Sequence, residues 1–145
     1  FSYCTSLTSI YITDIAAWCN ISFSNNVSNP LYYAENLYLN NELVTDLIIP
    51  DSVTSIGDNA FFNCDSLTSV TIGKGVTSIG GSVFSHCSRL TSVYCKPITP
   101  PTGGVGAFYD TASNLKIYVP RNSVSAYKSA SGWSSYASAI VGYDF

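Results

Sequence analysis

The chain has 145 residues, enough for one domain with a core of its own. At 46% hydrophobic and 14% aromatic it is too apolar to stay disordered, and a net charge of -3 supplies no basic field for a phosphate backbone or an acidic lipid surface. Nucleic acid is therefore excluded as an expected partner, no apolar run reaches the ~20 residues that insert across a membrane, and the lack of Met points to a processed product or a fragment.

From the N-terminus, an aromatic residue is followed by apolar or small ones at offsets of 3, 6, 9 and 11: Phe1, Cys4, Leu7, Ile10 and Ile12. Residues 13–37 leave this ladder as an insert. Asp14 is placed to cap a helical turn through Ile15-Ala16-Ala17-Trp18, and the Ser- and Asn-rich Ser22 to Pro30 reads as loop. Two readings compete here. One is an enlarged coil whose outer segment bulges from the stack; the other is a hairpin turning at Asn40-Asn41, between Leu37-Tyr38-Leu39 and Glu42-Leu43-Val44.

The ladder returns as Tyr38, Asn41, Val44, Leu47, Ile49, then as Phe61, Cys64, Leu67, Val70, Ile72, and again as Phe84, Cys87, Leu90, Val93, Cys95. Residues 53–72 and 76–95 agree at 11 of 20 positions with a shift of 23, including Val-Thr-Ser-Ile-Gly at the head of each. Residues 96–106 carry three Pro and three Gly and predict an exposed loop. A fifth copy follows as Phe108, Thr111, Asn114, Ile117, Val119, with polar residues in two slots. After Pro120, Asn122 or Ser123 is placed to cap a short helix with Val124 and Tyr127, which Gly132 ends, so that Trp133, Tyr136 and Ile140 lie over the last coil.

Alternation at offsets 9 to 11, as in Val70-Thr71-Ile72 and Ile117-Tyr118-Val119, has the period of two of a half-buried strand. One 23-residue coil cannot bury its own apolar residues, so successive coils must stack with parallel strands ~4.8 Å apart around a shared interior. The expected fold is a β-rich, right-handed solenoid of about five coils over residues 1–119, closed by a C-terminal helical cap over residues 120–145. Phe1 starts inside a repeat with no lid, so a longer chain upstream and end-to-end self-association at the uncapped N-terminus are expected.

A period of 23 falls in the leucine-rich range of 20 to 29. The phrases Ile49-Pro50-Asp51-Ser52-Val53-Thr54-Ser55-Ile56-Gly57 and Ala60-Phe61-Phe62-Asn63-Cys64-Asp65-Ser66-Leu67-Thr68-Ser69-Val70 resemble the BspA-like leucine-rich repeats, over residues 1–12 and 38–119. The ending Tyr127 to Trp133 resembles the terminal cap of such proteins, especially those from Bacteroides-type organisms. The resemblance implies a bacterial surface or secreted protein acting in adhesion or other non-catalytic binding, outside the cell, with no cofactor; it implies no particular ligand.

Offset 10 is the outward strand position, and reading it down the coils gives Tyr11, Ile48, Thr71, Tyr94 and Tyr118, an uncharged row suited to a host or matrix protein. Ser9, Ser69 and Ser92 flank it. Strands also favour Tyr, Thr and Ile for their own packing, so the row is equally what an ordinary strand face shows. Within the insert, Trp18, Tyr32 and Tyr33 form the alternative patch, for stacking a glycan. A third reading makes the segment a structural spacer or cap of a longer surface protein.

The five cysteines all fall on inward slots, which predicts buried thiols rather than a metal site. Cys64 and Cys87 lie on adjacent coils, where a bridge is conceivable. His86 reads as a surface histidine beside Ser85, with no acid placed by sequence to orient it, so no catalytic set is assembled. Asp51 and Lys74 correspond on adjacent coils and predict a weak surface pair.

Overall fold

A computed structural model describes residue 1 and residues 3–145. The first part comprises β1 (Ile10–Ile12), α1 (Ile15–Cys19), α2 (Leu31–Ala34), β2 (Leu37–Leu39) and β3 (Glu42–Leu43). Longer strands then alternate with two-residue ones: β4 (Asp46–Ile49), β5 (Ser55–Ile56), β6 (Ser69–Ile72), β7 (Ser78–Ile79), β8 (Ser92–Cys95), β9 (Thr102–Gly103) and β10 (Lys116–Pro120). The chain ends in α3 (Val124–Ser129) and β11 (Ile140–Tyr143).

One coil shows why the repeat becomes a stack. Val70 and Ile72 point inward from β6 and are fully buried, while Thr71 between them faces out. The inward pair meets its equivalents one coil away: Leu47 pairs with Val70, Val70 with Val93, and Val93 with Ile117, all in parallel. The main sheet therefore has the order β11-β10-β8-β6-β4, and the short strands form a second parallel sheet, β5-β7-β9, on the other flank. Between the two sheets Phe61, Phe84 and Phe108 form a column, with ring centroids 5.4 and 5.8 Å apart and planes within 7° of parallel.

The turns between the flanks obey the same register. Asn63, His86 and Asp110 each stand two residues after a column Phe, and each has φ between 54 and 62°. That left-handed conformation lets the chain reverse, and Asn and Asp tolerate it better than most residues. Backbone bonds tie the turns from coil to coil, as in Phe61 N–H to Val83 O and Phe84 N–H to Ala107 O. The pairing of Asp51 with Lys74 follows: the Asp51 carboxylate accepts the Lys74 backbone N–H at 2.8 Å and lies 3.6 Å from its ammonium.

Residues 13–44 combine both competing readings. Asp14 caps α1 by accepting the N–H groups of Ala16 and Ala17, and the Gly57 N–H donates to Cys19 O, as Gly80 does to Ile56 O one coil later. The hairpin is also present: β2 and β3 pair antiparallel around Asn40 and Asn41, both at positive φ. Its consequence is that Tyr38 does not join the aromatic column. It sits on β2, stacked on Tyr11 at 4.7 Å, because β1 pairs with β2 and forms a separate sheet, β1-β2-β3.

Three further expectations are corrected. Cys4 is exposed, as is Phe1, since the turns before β1 have no coil stacked over them in this chain. Asn114 is exposed, and Leu115, one position later, is the residue buried against the core. Within the Pro/Gly loop only part is exposed: Ile98 and Val105 face water, while Thr102–Gly103 forms β9 and the carbonyls of buried Pro97 and Pro101 accept bonds from Tyr127 Oη and Trp133 Nε1.

At the C-terminus Tyr127, Trp133 and Ile140 are buried against the core, and Phe108 packs on Trp133 and Tyr136. The helix is preceded by a 3₁₀ turn over Arg121–Ser123, and Ser123 makes no side-chain capping bond. Ile140 does more than cover the stack: it begins β11, which extends the main sheet in parallel beside β10.

Candidate binding surface

The outward residue of each main-sheet strand is set by the strand period, and the register aligns these residues across the sheet. Ile48 pairs with Thr71, Thr71 with Tyr94, Tyr94 with Tyr118, and Tyr118 with Val141. Four of the five expected row positions are thus contiguous. Tyr11 is not part of the row: the hairpin separates β1 from β4, and Tyr11 instead stacks on Tyr38 in the small sheet. Ile48, at the open edge, is 68% exposed, and Thr71, Tyr94 and Tyr118 are half-buried.

Neighbouring rings account for that burial. Tyr94 and Tyr118 stack at 4.8 Å with planes 13° apart, and the Tyr143 ring meets both edge-on at 5.5 Å. Phe145 packs on Tyr143 in turn. Tyr143 joins the row because Ile140 begins a strand, β11, whose outward positions are Val141 and Tyr143. Beside the row, Asp46 accepts the Ser69 hydroxyl at 2.6 Å, so Ser69 is held by a bond to the neighbouring coil.

The insert patch is not assembled as expected. Trp18 is 8% exposed and donates its Nε1–H to Ala60 O at 2.8 Å, because α1 is stacked on the next coil. It therefore presents no free face to a ligand. Tyr32 and Tyr33 do meet, edge to face at 4.9 Å. His86 has an acid partner after all: its Nδ1 lies 2.9 Å from Asp110 Oδ2. The two occupy the same turn slot of adjacent coils, a signal present in the ladder. Ser85 is buried, so the surface imidazole is not paired with an accessible nucleophile there.

Cys19, Cys64, Cys87 and Cys95 are buried and all five cysteines are free thiols, so Cys64 and Cys87 are not bridged. Cys87 donates to Phe61 O at 3.2 Å, and Cys95 lies 3.3 Å from Tyr127 Oη. Burial pushes the thiols of Cys19, Cys64 and Cys95 up to about 12. An aromatic disulfide reagent should accordingly label Cys4 alone in the folded protein and all five thiols after unfolding, a result read from absorbance. Because the folded values are raised, the stabilising contribution of these neutral thiols is complete below pH 9 and is lost as pH rises toward 12. Urea midpoints should fall across that interval. No group of three His, Cys, Asp or Glu stands close enough to hold a metal ion among the described residues.

A comparison with curated proteins finds no match. The sequence pattern described as a BspA type leucine rich repeat region matches residues 32–131 in six copies. The match takes in β2 through β10 and α3, and leaves out β1, α1 and β11. With most of its length matched, and with the parallel strand stack that such repeats require, the chain belongs to the BspA type leucine-rich repeat family.

Proposed function

We propose that the chain is a non-catalytic binding module of a cell-surface or secreted protein, and that the outward face of its main sheet receives a host or matrix protein. Family membership supports a surface interaction module outside the cell. The finer assignment rests on one observation: Ile48, Thr71, Tyr94 and Tyr118 form an uncharged row in strict strand register, and Val141 and Tyr143 extend it. Tyrosines in such a row bury wide area at small entropic cost and keep a hydroxyl for hydrogen bonding. A parallel sheet holds them in place before a partner arrives, which lowers the cost of ordering on binding. In this reading residues 1–119 are the right-handed winding that carries the surface, and residues 120–145 close its end.

A second reading has its own support. Tyr94, Tyr118 and Tyr143 pack on one another, as they would if the row served only to stiffen a structural segment of a longer protein. One experiment separates the two. The unaltered chain and its Tyr94→Ala and Tyr118→Ala variants are passed over immobilised matrix and plasma proteins by biolayer interferometry. Binding should weaken about tenfold or more in the variants, while Tm falls by no more than about 5 °C for the lost ring pair. Unchanged affinity with a lowered Tm would assign the row to structure.

A further inference from the structure

A second ring file lies on the flank where the chain turns from the short strands to the main sheet. Phe62 follows the column residue Phe61 by one position, and His86 follows Phe84 by two, so stacking brings both to the same edge. Tyr32 of α2 continues the file at one end and Tyr109 at the other. The ring centroids are 6.0 Å apart for Tyr32 and Phe62, 5.1 Å for Phe62 and His86, and 5.7 Å for His86 and Tyr109. Tyr32, Phe62 and His86, with Asn26 and Asn63, line a groove of about 370 Å³. That volume lies within the range of small-molecule sites.

The polar atoms of the groove are held in place and only partly used. Asn63 donates its Nδ2 to Tyr32 O at 3.1 Å, which leaves Oδ1 without a donor among the described residues. Asn26 accepts the Val27 N–H on Oδ1, which leaves its Nδ2 without an acceptor among them. His86 contributes Nδ1 to Asp110 and retains Nε2. Left-handed backbone at Asn63 and His86 is part of the coil-to-coil turn, so both side chains start from fixed positions. The lining thus offers the half-buried Tyr32 and His86 rings on either side of the largely buried Phe62, one free amide donor and one free amide acceptor, with no Lys or Arg.

We propose that this groove binds a neutral pyranose of a glycan. The carbon-bound hydrogens of a sugar ring pack on aromatic side chains, while its hydroxyls both donate and accept and so match the Asn26 and Asn63 amides. An anionic sugar finds no Lys or Arg in the lining and meets Asp110 beside His86. The site is separate from the main-sheet row and does not depend on it.

His86 is the chain's one histidine, so its imidazole proton resonances report on the groove without ambiguity. The intact chain is titrated with neutral oligosaccharides of glucose, galactose, mannose and N-acetylglucosamine, and separately with sialylated oligosaccharides. At least one neutral sugar should shift the His86 resonances saturably. Asn26→Ala, which removes the free donor, and Asn63→Gly, which removes the free acceptor and keeps the left-handed turn, should each weaken that binding about tenfold with the fold retained in the spectrum. Tyr94→Ala should leave it unchanged. The proposal is overturned by no shift with any neutral sugar, by shifts with sialylated sugars alone, or by both Asn variants binding a neutral sugar as tightly as the unaltered chain.

Discussion

Phe84→Ala should destabilise the protein by about 3–5 kcal/mol, the cost of emptying a buried aromatic site. For a domain of this size that lowers Tm by roughly 10 °C or more. Phe84 is fully buried at the centre of the column, between Phe61 and Phe108. Rings above and below cannot close the gap cheaply, because the backbone of each coil is bonded to the next at this level. Phe1→Ala supplies the contrast. Phe1 occupies the same ladder slot by sequence but is 63% exposed, so its loss should stay within about 0.5 kcal/mol. Equal effects from the two substitutions, measured by thermal melts, would contradict the stacked interior.

Gly132→Ala should cost about 2–4 kcal/mol, although only one methyl is added. Gly132 has φ +82°, in the left-handed region, and a Cβ there would fall onto the carbonyl oxygen of Gly103 in β9. Neither side yields easily. The Gly103 backbone is paired to β7, and the next residue after Gly132 is Trp133, buried against Tyr127 and bonded through Nε1 to Pro101 O. Gly81→Ala is the control, since a Cβ there meets Val105 O only at 3.5 Å and needs no unusual backbone. It should change stability by less than about 0.5 kcal/mol. Urea denaturation of the two variants, followed by tryptophan fluorescence, measures the difference. A Gly132→Ala protein as stable as the unaltered chain would mean that the C-terminal segment is not seated on the last coil.

The order of the strands follows from residues that recur. Because Val70, Val93 and Ile117 take the same slot, one period is enough to place three strands side by side and to assign Thr71, Tyr94 and Tyr118 to the opposite face. The free cysteines illustrate the limit of that logic. Cys64 and Cys87 are buried as their slot requires, whereas Cys4 shares the slot and is exposed, since burial depends on a neighbouring coil as well as on position.

What the amino-acid sequence determined alone is therefore the repeating part: its period, its inward files, its family and the outward row from Ile48 to Tyr118. Tertiary structure decided everything at the interruptions. It moved Tyr11 to a separate sheet, buried Trp18, added β11 with Tyr143 to the row, and brought Asn26 and Tyr32 beside Phe62 and His86. A repeat carries its own register, because every slot is written several times. An insert is written once, and its place is set by the backbone bonds and rings of coils that lie tens of residues away.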